Sequence, residues 1–366
     1  MAAGGGRDAL ARTHVSRDSG TKRTKRPTIT RPRLVDVADA CGVTVSIVSR
    51  VLNGDPTVSA RPETRARILE AAQRLSYVPN GIARGLRRSR TMTIGAVLPN
   101  LAYAVNAEIL RGAERRAASE GYVLLVADAM EFGPTSAAYQ RLLMEGRVDG
   151  LLIASATTAE GATTALSTLP LPVVHANRRG ANFGVSVSVD DEFGIGLAVD
   201  RLVDLGHTRI GYVAGPCDAD TARRRRAGFR ARIEAHGLRL KSSMVVETVF
   251  TEAGGFEAMQ QLLELRRPPT AVVAASFASA VGVMSAVTTS GLRVPDEISV
   301  IGFHDAPVAA YLNPPLSTVR MPLAEMAAAA VETLVRLIDG KEVEDIVIRS
   351  PTPVLIERGS IGPATA

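Results

Sequence analysis

The densest chemistry in this 366-residue sequence is a run of four arginines, Arg223, Arg224, Arg225 and Arg226, followed by Ala-Gly-Phe. At about 100° per residue, four successive arginines span about 300° of a helix, so they cannot all face water. Phe229 is expected to be buried, and Arg225, four residues earlier, shares its face. Arg225 is therefore the arginine expected to point into a cleft, where its planar fork can hold hydroxyls or a carboxylate. An internal salt bridge is the alternative, and Arg223, Arg224 and Arg226 are expected in solvent. The five histidines, His14, His175, His207, His236 and His304, include no pair at the close spacing of a helical metal site. Cys41 and Cys217 make neither a disulfide framework nor a metal cluster. No glycine-rich phosphate loop with Lys-Ser/Thr is present, so neither a cofactor nor a metal is expected. Nothing points to an enzyme, although a scattered Ser/His/Asp triad stays open.

A second polar set lies near the N-terminus. Ala38, Gly42, Val43, Val48 and Val51 have the spacing of a helix-turn-helix. The small Ala38 permits close approach, Gly42 makes the turn, and the valines fill the space between helices. The second helix then shows Thr44, Val45, Ser46, Ser49, Arg50 and Asn53 on its other faces. Thr44 and Ser49 suit phosphate, while Val45, Ser46 and Arg50 suit base edges in a major groove. A plain helical hairpin is the alternative. Charge favours the first reading. Residues 1–90 hold 18 Lys+Arg and 7 Asp+Glu, a net +11, and the remaining 25 and 30 give the rest a net −5. A basic head of that size reads as a nucleic-acid footprint.

The elements that must position these groups follow from patterning. Residues 1–32 mix Gly, Ser, Thr and Arg without periodicity and read as a disordered basic arm. Helices are expected over Leu34–Cys41 and Val45–Asn53, with Thr44 as cap, and from Pro62 onward. Asn80 can cap a short basic helix that runs to about Arg88. From Thr93, apolar runs alternate with amphipathic stretches: Ile94–Leu98, Val123–Val126, Leu151–Ala154, Val173–His175, Ile210–Ala214, Ala271–Ala275 and Ile298–Phe303. That rhythm predicts two α/β lobes of doubly wound parallel sheet, with ligands bound beyond the carboxyl ends of the strands. No stretch approaches the ~18 uncharged apolar residues of a membrane span, and no apolar run follows the N-terminal charges. A cytoplasmic protein is expected.

The segments "LVDVADACGVTVSIVSRVLNG" and "VPNGIARGLRRSRTMTIGAVLP" resemble the head and hinge of lactose-repressor-type (LacI/GalR) transcriptional regulators. The likeness continues through "VDGLLIAS", "LGHTRIGYVAGP", "RRAGF", "PDEISVIGFHD", "NPPLSTVRMP" and "ERGS", over roughly residues 33–362. It implies an all-α helix-turn-helix DNA-binding head joined to a periplasmic-binding-protein-like core that binds a small effector and dimerises. The implied division is a helix-turn-helix domain over 33–78, a hinge over 79–91 and a core over 92–366. Lobe 1 would take about 92–189 and 323–350, and lobe 2 about 190–319 and 351–366. The implied partners are palindromic operator DNA, a small polar effector such as a sugar or sugar derivative, and a second copy or a dimer of dimers.

The resemblance puts Val45, Ser46 and Arg50 at base-reading positions and Thr44, Ser49 and Asn53 at phosphate-positioning or supporting ones. Asn80, Arg84 and Leu86 belong to the hinge, where Leu86 suits an apolar wedge in the minor groove; a flexible basic linker is the alternative. Arg225 stands at an effector-binding position, three residues before the Gly. Asn177, Ser276 and His304 follow predicted strands at places where the family carries ligand-binding groups, and Tyr103 opens the segment that replaces Asn-Pro-Phe-Phe. There are departures. Ile47 stands where Thr is usual and Ser46 where Ala is common, and "ARPETR" is two residues longer than the usual connection. Asn177, Phe277 and His304 each replace a carboxylate. A retained arginine beside fewer carboxylates favours an anionic or hydrogen-bonding metabolite, such as a sugar acid or sugar phosphate, and His304 would make binding pH-dependent near 6.5. A neutral sugar is the alternative.

Overall fold

The computed structural model describes residues 32–55, 57–77, 90–101, 103–128, 145–154, 171–179 and 183–365. The expected arm, apart from Pro32, and the hinge residues Asn80, Arg84 and Leu86 lie outside them. The chain separates into two compact units, Met1–Asn80 and Gly81–Ala366.

The first unit contains helices α1 (Leu34–Cys41), α2 (Val45–Leu52) and α3 (Pro62–Arg74). Gly42 ends α1 at φ 63°, in the left-handed region that a side chain disfavours. The Thr44 hydroxyl accepts from the Ile47 N–H at 3.4 Å and caps α2. Val37, Ala38, Val48, Val51 and Ile68 are buried together, with Val43 half-buried beside them. This small core fixes the angle between α1 and α2 and leaves the opposite face of α2 in solvent.

The second unit is built on two six-stranded sheets. One takes β1 (Thr93–Leu98), β2 (Val123–Asp128), β3 (Gly150–Ile153), β4 (Val173–Ala176), β5 (Val185–Val189) and β11 (Ile346–Ile348), in the order β2-β1-β3-β4-β5-β11. The other takes β6 (Ile210–Ala214), β7 (Val245–Glu247), β8 (Ala271–Ala274), β9 (Ser299–Phe303), β10 (Ser317–Arg320) and β12 (Val354–Ile356), in the order β7-β6-β8-β9-β10-β12. All pairings are parallel except that of β10 with β12. The chain thus passes between sheets three times: after β5, after β10 and after β11. Helices α4 (Ala104–Ser119), α5 (Asp191–Asp204), α6 (Asp220–Ala235), α7 (Glu252–Leu263), α8 (Phe277–Thr289) and α9 (Leu323–Ile338) connect or cover the strands.

Strands β5, β7, β10, β11 and β12 were not among the apolar runs read from sequence. Two of them are buried but polar: Ser186 and Ser188 sit in β5, Ser317 and Thr318 in β10. Their hydroxyls are satisfied from outside the strand: Ser188 Oγ accepts from Arg179 Nε at 2.8 Å and Thr318 Oγ1 donates to Asp305 at 2.6 Å. Burial of a hydroxyl is tolerated when such a partner exists, and a hydropathy pattern does not see the partner. The other three are only three residues each.

Helices α5 and α6 approach closely at Gly228. A Cβ there would stand 2.6 Å from Glu192 Cα and 2.7 Å from its carbonyl oxygen. Next to it Phe229 is fully buried and stacks on Tyr212, with ring centroids 4.4 Å apart. Gly228→Ala is therefore expected to push α6 off α5 and lower stability by about 1–3 kcal/mol. Urea unfolding measures this, and an unchanged midpoint would contradict the close packing.

Candidate functional site

In the first unit, Val45 and Ser46 stand exposed on the first turn of α2, Thr44 caps it, Ser49 is half-buried and Asn53 closes the helix. Asn53 Nδ2 donates to the Ser49 carbonyl at 2.7 Å, so these two act as a pair. Arg50 is held from one side. Its Nε donates to Asp55 at 2.8 Å and its Nη2 to Thr57 Oγ1 at 2.7 Å. Asp55 in turn accepts from the Thr57 N–H at 2.8 Å. The Thr57 and Arg50 bonds hold the Asp55 carboxyl down at about 2, so it stays ionised at neutral pH. One edge of the Arg50 fork is used in this way. The Nη1/Nη2 edge remains, and its two parallel N–H groups suit the O6/N7 pair of a guanine.

In the second unit, a cavity of about 370 Å³ opens at the carboxyl ends of both sheets. Ala154 and Asn177 follow β3 and β4 of one sheet; Ser276 and His304 follow β8 and β9 of the other. Both sheets reverse strand order beside their first strand, the place where α/β sheets form crevices. Tyr103, Asn177, Arg225, Ser276 and His304, all read from sequence, line this one cavity. Asn106, Asp220, Thr221, Phe250 and Glu252 line it as well and were not singled out.

The residue that organises the cavity wall is Asp191, fully buried in the first turn of α5. One carboxylate oxygen accepts from Arg225 Nε at 2.7 Å and the other from Arg224 Nη1. Arg225 reaches on to the Ala275 carbonyl and to His304 Nε2, both at 2.8 Å. Its guanidinium carbon lies 4.4 Å from the Phe303 ring centroid and 5.7 Å from that of Phe250. Arg225 is thus both a cavity residue and half of an internal salt bridge; the two alternatives coexist. The expectation for Arg224 is corrected. It is buried, not solvated, because it also donates to Asp220 at 2.9 Å and to the Val189 carbonyl at 3.1 Å. Arg223 is exposed and Arg226 half-exposed. The acidic run Asp190-Asp191-Glu192 after a strand was the available signal for Asp191.

Two further features stand out. The cleft keeps carboxylates of its own: Asp220 and Glu252 line it together with Arg178 and Arg225. Aromatic surface is also present, from Phe250, Phe277 and Tyr103. His304 does not titrate near 6.5. Burial, and then the positive Arg225 beside it, push its pKa well below the usual imidazole value. It stays neutral at physiological pH.

Residues 33–80 match the family described as "Bacterial regulatory proteins, lacI family", and residues 199–361 match a "Periplasmic binding protein-like domain". The ribose operon repressor of Escherichia coli (strain K12) is 34% identical over 328 residues, 89% of this chain and 98% of that protein. Catabolite control protein A of Priestia megaterium is 30% identical over 320 residues, 87% of this chain and 96% of that one. Among solved structures, the Lac repressor dimer bound to operator and the anti-inducer ONPF superposes with a TM-score of 0.75 at 28% identity, covering 90% of this chain and 99% of the other. The chain belongs to the LacI family of bacterial regulatory proteins: it is a DNA-binding transcriptional regulator with a helix-turn-helix head and a periplasmic-binding-protein-like core. Among the described residues no helix is long and apolar enough to cross a membrane.

Removing Asp191 would leave Arg224 and Arg225 buried without their shared counter-charge. Asp191→Ala is expected to cost about 3–5 kcal/mol of unfolding free energy, because an uncompensated buried charge is left behind. Chemical denaturation of the variant tests this; a loss below 1 kcal/mol (roughly the worth of an exposed pair) would show that the pair contributes little.

Acid should weaken the second unit before any carboxylate is protonated. Burial lowers the pKa of His175, His207 and His304 in the folded chain. The unfolded chain takes up those protons near 6.5, and the native one does not. Stability is therefore fully present above about pH 6.5 and falls as the pH drops below it, by up to about 1.4 kcal/mol per pH unit for each histidine. Denaturant midpoints at pH 7.5 and 5.5 measure the effect, and equal midpoints would contradict it.

Proposed function

We propose that this regulator represses transcription by binding a palindromic operator, and that a small polar metabolite held in the cavity between the two core lobes changes its operator affinity. The carrying observation is the conjunction in one chain of a solvent-facing polar helix and a cavity of about 370 Å³ at the strand ends of both sheets. On this reading Val45, Ser46 and Arg50 read base edges, while Thr44, Ser49 and Asn53 position the helix on phosphates. Asn80, Arg84 and Leu86 complete the interface from the hinge, assigned to 79–91 between a head of 33–78 and a core of 92–366. Asn177, Arg225, Ser276, His304 and Tyr103 contact the effector. One recognition helix reads too few base pairs for a selective site, so the active form is a homodimer, alone or paired as a dimer of dimers. The Lac repressor structure named above is a dimer on operator, and another solved relative, the regulator CelR, is in complex with cellobiose.

Binding rather than catalysis is supported by the cavity's own bonding. His304 gives its Nε2 lone pair to Arg225, and Ser276 Oγ is paired with Ser279 Oγ at 2.8 Å. A serine nucleophile with an imidazole base is not assembled among these residues. The working compartment is the cytoplasm, where the operator is.

Arg50→Ala is expected to cost about 1–3 kcal/mol on the cognate duplex and to relax base preference there, with nonspecific binding nearly unchanged. Fluorescence anisotropy with cognate and scrambled duplexes, over a salt series, measures both terms. Equal losses on the two duplexes would remove Arg50 from base reading, and no salt-dependent binding to any duplex would overturn the function.

A further inference from the structure

Arg50, Asp55 and Thr57 form a closed ring of hydrogen bonds at the end of α2. Asp55 Oδ2 accepts from Arg50 Nε at 2.8 Å, and Asp55 Oδ1 accepts from the Thr57 hydroxyl at 2.7 Å and the Thr57 N–H at 2.8 Å. The ring closes where Thr57 Oγ1 accepts from Arg50 Nη2 at 2.7 Å. It is fastened to the head on both sides. Gly54 turns the chain back at φ 68°, the Asp55 N–H donates to the Arg50 carbonyl at 3.0 Å, and Val58 is buried in the small core. A single exposed ion pair would leave an arginine free to swing. Here two acceptors on one short loop take the same edge of the guanidinium, and the remaining donors lie on Nη1 and Nη2.

We propose that Asp55 and Thr57 are positioning residues that set operator specificity: they hold Arg50 in the orientation that meets a guanine edge-on, and they withhold it from phosphate oxygens. The proposal rests on the base-reading assignment of Arg50 and goes beyond it, to the residues that decide what Arg50 can bind.

Two physical effects carry it. A free arginine gives up rotamer freedom when it binds a base, and a held one has already done so. A loose guanidinium beside a duplex would also pair with any phosphate, and phosphates line every sequence alike. Asp55 opposes that second outcome. The Thr57 and Arg50 bonds hold its carboxyl down at about 2, so it stays ionised and offsets the charge of Arg50 at neutral pH. Residues 1–90 carry 18 Lys+Arg against 7 Asp+Glu, so attraction to phosphate is plentiful without Arg50. A carboxylate set against this arginine therefore gives up general affinity and gains discrimination.

The test uses the full chain. The wild type selects its preferred duplex from a randomised library, and fluorescence anisotropy gives Kd for that duplex and for a scrambled one over a salt series. Asp55→Ala is expected to tighten scrambled binding, to steepen its salt slope by about 1, and to lower the ratio of scrambled to selected Kd about tenfold. Thr57→Val removes hydrogen bonds and no charge, so the ratio should fall about threefold with scrambled binding unchanged. Thr57→Ser restores the hydroxyl and should read as wild type. 7-Deazaguanine, placed at each guanine of the selected duplex in turn, removes N7; one position should cost the wild type about tenfold and Asp55→Ala less than about twofold. In an Arg50→Ala background, Asp55→Ala should no longer change the ratio, whereas a loss of head structure would lower it in either background. An undiminished ratio in Asp55→Ala, a ratio that rises because the ring must open for DNA, or a wild type indifferent to every 7-deazaguanine overturns the proposal. If Arg50→Ala still loses base preference in that case, the base-reading assignment stands. If the wild type selects no duplex, or Arg50→Ala keeps the wild-type ratio, both readings fail.

Discussion

One fully buried carboxylate, Asp191, ties the ends of the core's two sheets together through the arginines it holds. It lies where the chain first leaves one sheet for the other, and each of its oxygens takes one arginine of α6. Arg224 carries the contact back to the carbonyls of Val189 and Asn177, at the end of the first sheet. Arg225 carries it forward to Ala275 and His304, at the end of the second. A buried anion is tolerated only when its partners are close and well aligned, so the arrangement admits little slack. Gly228 and Phe229 make it reachable, one by letting α6 close on α5 and the other by filling the space beneath.

The wall of the cavity is a consequence of that constraint. With Arg225 fixed by Asp191, its outer nitrogen donates to His304 Nε2, and the proton of the neutral ring then sits on Nδ1. Asn177 is held through its backbone, with its N–H on Val187 at 2.7 Å and its carbonyl accepting from Arg224. The bonding of the cavity wall is therefore set by residues one layer behind its surface. The same logic operates in the head on a smaller scale. Asp55 and Thr57 occupy one edge of Arg50 and so orient the other.

Much of this was legible in the sequence because it is carried by local patterning. The Ala38–Gly42–Val48–Val51 spacing specifies two packed helices with one polar face, since helix period and a left-handed turn are properties of neighbouring residues. The apolar runs located seven of the strands, and the rule that α/β ligands bind at strand ends picked out Asn177 and His304. The shared face of Arg225 and Phe229 followed from helix geometry alone. The polar strands β5 and β10 were not legible, because their buried hydroxyls are satisfied by Arg179 and Asp305, partners distant in sequence or in a loop.

The sequence by itself determined the architecture, the solvent-facing polar helix and the five cavity residues, because each depends on periodicity, on strand ends or on a motif readable within a few dozen residues. Only the tertiary structure decided how those residues are charged and bonded. Arg224 proved buried, Asp220 and Glu252 joined the cavity lining, and His304 became a neutral acceptor for Arg225. Two of those outcomes rest on pairings between residues 33 and 79 positions apart, Arg224 with Asp191 and Arg225 with His304. Protonation and hydrogen-bond polarity are set by which groups share a low-dielectric space, and that proximity exists only once the chain has folded.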